Sequence, residues 1–269
     1  MPSRTRAPGR SGRAFYSLLL AAPWFLAGAA PVRAALPDEI QVYDDSSNPQ
    51  GKFGLELHLN ATPSGRGVPD YPGEITPVHG FRTTFEASYG LTDHIELGAY
   101  LPFDHVADGT ERFAGPRFRI KLIGQKSDDA QPFFYGLNFE LSDVRPAFEQ
   151  TQNQLEVRGM LGWRTQDWLV AINPVTDVPL KPGARTGGPS IAPAFKVGRR
   201  VADGVSTGIE YYTDLGQFSS LQPYSRQSHT LFLAVDVDEI WIPFNFGIGR
   251  GLTSPADRWT VKGIVELPI

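Results

Sequence analysis

Strict alternation of apolar and polar side chains is the feature that most limits how this 269-residue chain can fold. Positions 81, 83, 85, 87 and 89 are Phe, Thr, Phe, Ala and Tyr, whereas positions 82, 84, 86 and 88 are Arg, Thr, Glu and Ser. A period of two is the period of a β-strand, because successive side chains of a strand point to opposite faces. A helix would scatter the same residues around its circumference. The pattern therefore predicts strands with one wet face and one apolar face.

The same alternation returns in about a dozen segments between residues 52 and 267. The connections between these segments alternate in length. Tight turns such as Leu91–His94, Arg164–Asp167 and Asp238-Glu239 alternate with longer loops such as Pro63–His79 and Thr176–Pro189. An even number of antiparallel strands with short periplasmic turns and longer external loops is typical of a transmembrane barrel. We therefore predict an all-β fold, an antiparallel transmembrane β-barrel of about 12 strands.

The N-terminal stretch has the pattern of a secretory signal peptide. Four arginines precede an apolar stretch from Phe15 to Gly28, and Val32-Arg33-Ala34 resembles a cleavage site. The sequence thus predicts a cleaved signal peptide at residues 1–34, a periplasmic N-terminal segment at 35–50 and a barrel domain at 51–269.

Composition excludes several classes of protein. The chain has no cysteine, which excludes disulfide scaffolds, thiolate zinc sites and cysteine nucleophiles. Residues 1–34 contain five arginines and no acidic residue, so the remainder carries 20 basic and 29 acidic residues. Without a basic surplus to neutralise phosphates, nucleic acid is not an expected partner. After the N-terminal stretch no apolar run approaches the roughly 18 residues of a helical membrane span, so we expect strands to meet the membrane.

The polar face of the predicted strands supplies the candidate lumen residues. They are Arg82, Glu86, Glu96, Arg117, Arg119, Lys121, Glu140, Glu156, Arg158, Lys196, Glu210, Tyr212, Asp236, Lys262 and Glu266. Their charges nearly cancel, which predicts either paired networks that fix the shape of the barrel or a hydrated conduction path. Arg117, Arg119 and Lys121, here called the basic stripe, would favour anions in a pore, including the carboxylate of an aromatic acid.

The sequence resembles bacterial outer-membrane β-barrel proteins. The signal peptide, the alternating hairpins and aromatic residues near strand ends carry this resemblance; the aromatic residues are Tyr89, Phe103, Trp163, Trp168, Tyr211, Trp241 and Trp259. The local runs Trp168–Pro174 and Glu210–Gly216 are more loosely similar to uncharacterised barrels grouped with aromatic-degradation transport proteins.

The resemblance implies the outer membrane of a Gram-negative bacterium, contact with outer-membrane lipid, and insertion by the outer-membrane assembly machinery. The end of the chain departs from the expected insertion signal. Ile269 stands where an aromatic residue is usual, and Pro268 removes a ladder donor.

Three functions remain open at this point. The first is a channel or transporter for small solutes, with anionic and aromatic solutes as candidates. The second is a structural or adhesive surface barrel with a closed lumen. The third is an outer-membrane lipase or protease using His58 or His105, but the histidines show no metal-ligand spacing and none of them lies in a recognisable nucleophile motif such as G-x-S-x-G. We therefore expect no catalytic residue, no cofactor and no metal ligand. A soluble β-sandwich shares the alternation but needs no apolar outer face on every strand.

Overall fold

Twelve long antiparallel strands form a closed barrel within residues 39–180 and 188–269, the part of the chain that the computed structural model describes. The first six are β1 (Phe53–Ser64), β2 (Phe81–Thr92), β3 (Ile95–His105), β4 (Arg117–Gln125), β5 (Phe133–Asp143) and β6 (Asn153–Arg164). The other six are β7 (Trp168–Asn173 and Val175–Pro179), β8 (Ser190–Ile191 and Ala194–Ala202), β9 (Val205–Asp214), β10 (Ser228–Val237), β11 (Phe244–Gly251) and β12 (Trp259–Leu267).

Each strand pairs with its neighbours in sequence, and β1 pairs with β12 to close the barrel. The predicted all-β antiparallel barrel of 12 strands is therefore confirmed. Smaller elements lie in the loops: the short strands Glu111–Phe113, Gly216–Gln217 and Ser220–Leu221, and a 3-10 turn at Tyr224–Arg226. The predicted signal peptide, residues 1–34, lies outside the described residues. In the described ranges, no helix is long and apolar enough to cross a membrane.

The apolar face of the strands points away from the barrel axis. In β2, Phe81 and Phe85 are 38% and 43% exposed, whereas the alternating residues Arg82, Thr84 and Glu86 are buried. This arrangement is the reverse of a soluble protein and suits a lipid-covered exterior with a polar interior. Closure of the sheet into one barrel also rules out the β-sandwich alternative.

The connections separate into two ends of the barrel. The short-turn end carries the connections 93–94, 126–132, 165–167, 203–204 and 238–243. The long-loop end carries the connections 65–80, 106–116, 144–152, 215–227 and 252–258, together with residues 180, 188 and 189 between β7 and β8. The connection 238–243 is longer than the tight turn that the sequence predicts at Asp238-Glu239. Pro243 has no N–H for the ladder, and β11 begins only at Phe244.

A charge on the outer face gives a direct test of lipid exposure. Leu137 lies in the middle of β5 and is 45% exposed, so Leu137→Arg should lower the free energy of unfolding by about 2 to 4 kcal/mol. Phe133→Arg is the matched control, because Phe133 is equally exposed on the same face but lies at the strand end. There the cost falls to about 0 to 1 kcal/mol. Urea unfolding in lipid vesicles measures the free energy of unfolding of both variants. Equal losses of stability in the two variants would contradict a lipid-covered face.

The chain before β1 runs through the inside of the barrel. Residues 39–49, here called the plug, begin inside the barrel near the long-loop end, where they line a cavity, and leave the barrel at the short-turn end. There Gly51 N donates to Gly90 O at 2.7 Å. Tyr43, near the middle of the plug, is 4% exposed. The described part of the segment 35–50 thus lies in the lumen and not beside the barrel in the periplasm, because the polar wall satisfies the hydrogen-bonding groups of an extended chain.

Candidate functional site: the lumen and its plug

Side chains of the barrel wall hold the plug by its backbone. Asn173, fully buried on β7, makes a two-point contact: its Oδ1 accepts from Tyr43 N at 2.6 Å, and its Nδ2 donates to Tyr43 O at 2.9 Å. Three wall cations donate to plug carbonyl oxygens: Lys262 Nζ to Ile40 (2.9 Å), Arg158 Nη1 to Gln41 (3.1 Å) and Lys121 Nζ to Ser46 (2.6 Å). The wall therefore fixes the position of the plug at several points along its length.

Tyr43 is the side chain that anchors the plug. Its ring centroid lies 4.3 Å from the Arg158 guanidinium carbon, 4.9 Å from Lys121 Nζ and 5.7 Å from the Arg119 guanidinium carbon. Desolvated cation–π contacts of this kind contribute about 2 kcal/mol each. Burial and the nearby Glu39 raise the pKa of Tyr43. The hydroxyl thus stays protonated and donates to Glu39 Oε2 at 3.0 Å.

Two aspartates fasten the plug near the short-turn end. Arg164 Nη2 lies 2.7 Å from Asp44 Oδ2 and 2.9 Å from Asp45 Oδ1. Asp45 Oδ2 also accepts from the N and Oγ of Ser127, at 2.7 and 2.6 Å. Burial opposes ionisation of Asp44, but Arg164 and Lys121 hold the pKa of its carboxyl well below its usual range. A lowered carboxyl pKa means that this attachment weakens only as the pH falls through that low value.

The basic stripe is engaged in pairs. Arg119 donates from Nε to Glu86 Oε1 and from Nη1 to Glu96 Oε1, both at 2.9 Å. Arg117 Nη1 lies 3.1 Å from Glu140 Oε1, and Lys121 binds the plug as described above. The stripe therefore does not present three free positive charges to a pore.

The other predicted lumen residues form smaller groups on the same inner face. Their contacts are Lys262–Glu210 (2.5 Å), Lys196–Asp236 (3.0 Å), Lys196–Glu210 (3.4 Å), Tyr212 hydroxyl to Glu210 (2.6 Å), Arg158–Glu156 (2.8 Å) and Arg82–Asp104 (2.7 Å). Glu266 is exposed and lies opposite Glu56 in the ladder. The structure thus brings most of the predicted set into ion pairs, some between neighbouring strands, as in Arg82–Asp104, and others within one strand or between strands that are not neighbours, as in Lys262–Glu210.

Two cavities lie in the lumen, one beside the first residues of the plug and the other beside the rest of it. The cavity at the long-loop end measures about 320 Å³ and the cavity at the short-turn end about 360 Å³. Gln41 lines both. Side chains of the first cavity include seven carboxylates and three cations, and those of the second include eight carboxylates and four cations. Both cavities therefore carry an acidic surplus.

Comparison with known proteins places the fold. No family model matches the chain, and no curated protein matches it. A solved structure of the COG4313 outer membrane channel from Pseudomonas putida F1 is similar, with 14% identity, a TM-score of 0.56 and coverage of 85% of this chain and 99% of that chain. The chain has the fold of an outer-membrane β-barrel. KdgM porin (10% identity, TM-score 0.52) and NanC porin (11%, 0.52) are also similar, each over 80% of this chain and 99% and 100% of theirs.

Several functional side chains were not among the predicted site residues. Tyr43 and Asn173 hold the plug, and His58 lies fully buried between Glu56 and Glu86. The alternation places His58 on the polar face of β1, but it gives no sign of the carboxylates that meet it. In the first long loop, the Asp70 and Glu74 carboxylates contact the Arg66 guanidinium at 3.3 and 2.8 Å, a salt bridge within the loop.

Proposed function

We propose that this protein is an outer-membrane channel for small solutes and that the plug closes it in the present conformation. The main support for this proposal is that the plug occupies the lumen, with one cavity beside it toward each end of the barrel. The exposed apolar outer face supports a location in the outer membrane, with lipid as its partner. The similar fold of outer membrane channels and porins agrees with this assignment.

The contacts of the plug suit a segment that can move. Most are hydrogen bonds, ion pairs and cation–π contacts, beside one small apolar cluster in which Val42 packs against the wall, and both cavities next to the plug can hold water. A hydrogen bond exchanged for water costs only about 0.5 to 1.5 kcal/mol net. The plug also continues directly into β1 at the short-turn end. Displacement toward that end would join the two cavities into one path.

The charges of the lumen favour cationic or neutral solutes over anions. Carboxylates outnumber cations in the lining of both cavities, and a lining of one dominant sign concentrates the opposite ion. The expectation of an anionic solute depended on a free basic stripe, whereas Arg117 and Arg119 bind carboxylates and Lys121 donates to the Ser46 carbonyl oxygen of the plug.

A barrel with a permanently closed lumen is the second candidate. The ion pairs of the inner face and the docked plug together fill the centre of the barrel, which favours a structural or adhesive role carried by the long loops. We propose a non-enzymatic role in either case. The imidazole of His58 faces two carboxylates inside the wall, and that of His105 lies 3.3 Å from Glu111 in an exposed position.

A reversible latch tests whether the plug is the gate. The chain has no cysteine, so Asp45→Cys combined with Ser127→Cys introduces one pair of thiols where the two side chains already meet. We expect low conductance in planar bilayers when this pair is oxidised, and higher conductance with frequent openings after reduction. The two single variants are the controls, because neither can form the bond within the chain. Equally closed recordings in both redox states, and in a variant without the plug, would favour the closed structural barrel.

A further inference from the structure

Three glutamates form a row across the closing seam of the barrel. Glu56 of β1 lies opposite Glu86 of β2 on one side and opposite Glu266 of β12 on the other. Like charges directly opposite each other destabilise a sheet, so a cation beside the row would stabilise it. Arg119 supplies one to Glu86. The ion pair that the structure shows for Glu56 is with His58 alone, at 3.6 Å.

His58 lies two residues after Glu56 on the same face of β1, and its ring points into this row. Its Nε2 lies 2.9 Å from Glu86 Oε2 and 3.6 Å from Glu56 Oε2, and the three ligand atoms all lie within 4.8 Å of one another. The imidazole is fully buried, and its Nδ1 has no hydrogen-bond partner within the described residues. The polar contacts of the ring are therefore with the carboxylates, and the ring of Tyr100 meets it edge to face at 6.3 Å between centroids.

We propose that Glu56, His58 and Glu86 form a binding site for a divalent transition metal, with Zn²⁺ as the best fit. Zinc binds imidazole nitrogen and carboxylate oxygen at about 2.0 to 2.2 Å in a tetrahedral arrangement, which sets ligand atoms about 3.3 Å apart. The observed separations of 2.9 and 3.6 Å lie on either side of that value. An imidazole ligand selects zinc, copper or nickel over magnesium and calcium.

The surroundings of the cluster suit a metal site. Arg119 donates to Glu86 Oε1 from Nε at 2.9 Å and from Nη2 at 2.5 Å, which leaves Oε2 directed at the cluster. An outer partner that orients a carboxylate ligand in this way is typical of metal centres. Glu96 binds the same guanidinium at 2.9 Å and offsets its charge. Glu56, with 26% of its side chain exposed, lines the cavity at the short-turn end, and that cavity gives access and room for a water molecule as the fourth ligand.

Calorimetric titration of Zn²⁺ into the purified, metal-free barrel in detergent tests the site without reference to channel activity. We expect one Zn²⁺ per chain and no heat with Mg²⁺. Glu56→Gln should weaken Zn²⁺ binding by more than about tenfold, since loss of even an outer partner costs 10- to 100-fold. The matched control is Glu266→Gln, which removes the same charge from the next residue in the row and should bind Zn²⁺ as the wild type does.

His58→Gln provides a second variant, and the gel mobility of unboiled protein reports whether each variant is folded. Folded His58→Gln should also lose Zn²⁺ binding, because it lacks the nitrogen ligand. The proposal fails if wild-type protein takes up no Zn²⁺. It also fails if Glu56→Gln and Glu266→Gln weaken binding equally, because the cation would then be held only by the general negative charge of the cavity.

Discussion

Deleting residues 39–47 while retaining the predicted signal peptide should raise the single-channel conductance severalfold. The deletion removes Tyr43 and the carbonyl oxygens that bind Lys262, Arg158 and Lys121. These cations would then face water in a continuous lumen, where they are solvated without a large loss of stability. We expect the two cavities to merge, because Gln41 of the plug lines both of them.

Tyr43→Ala should give an intermediate conductance, because it removes the cation–π anchor but leaves the backbone bonds to Asn173. Tyr211→Ala is the matched control: it removes a ring of the same type from the outer face of β9. Planar-bilayer recordings of the three proteins and the wild type make the comparison. A deletion variant that conducts no better than the wild type would show that the wall itself blocks the path.

Replacement of Arg119 by glutamine should cause the largest loss of stability among the lumen substitutions. Arg119 is 6% exposed at its side chain and binds the carboxylates of Glu86 and Glu96, which are 2% and 4% exposed. Removing one partner of a buried ion pair leaves an uncompensated buried charge and costs about 3 to 5 kcal/mol. We expect that loss in urea unfolding of Arg119→Gln.

Adding Glu86→Gln to Arg119→Gln should restore part of the stability, because it removes one of the stranded charges. Arg117→Gln is the matched control, since Arg117 lies two residues away on the same face of β4 but has a side chain that is 19% exposed. Arg117 also contacts Glu149, whose side chain is 13% exposed, so water can solvate one of the carboxylates that it leaves and the loss of stability should be smaller. If Arg119→Gln and Arg117→Gln lowered the free energy of unfolding equally, the buried ion pairs of Arg119 would not explain its loss of stability.

The wall of the barrel could be predicted from the sequence because its signal is local. Phe81, Phe85 and Tyr89 alternate with Arg82 and Glu86 within one strand, and that period alone fixes which face each side chain joins. The strand count and the two classes of connection follow when the same alternation is identified along the rest of the chain. The connection 238–243 differs because the apolar residues Ile240 and Ile242 continue the alternation although Pro243 interrupts the ladder.

The contents of the lumen could not be predicted in the same way. Tyr43 binds Asn173 across 130 residues of sequence, and no periodicity near either residue reports that contact. The alternation in the sequence places Glu56 and His58 next to each other on the polar face of β1. Glu86 meets them only because of the register between β1 and β2. The basic stripe was visible, whereas its partners on β2, β3, β5 and the plug depend on side-chain lengths and directions that the alternation does not encode.

The hydrogen bond from Lys262 to the carbonyl of Ile40 joins residues 222 positions apart, and this has a consequence for the order of folding. Ile40 precedes the first strand, and Lys262 belongs to the strand whose pairing with β1 closes the barrel. Contacts between such distant positions carry the full entropy cost of closing the chain and form late. The plug is therefore synthesised before the whole wall, yet it gains its complete set of contacts only when β12 arrives.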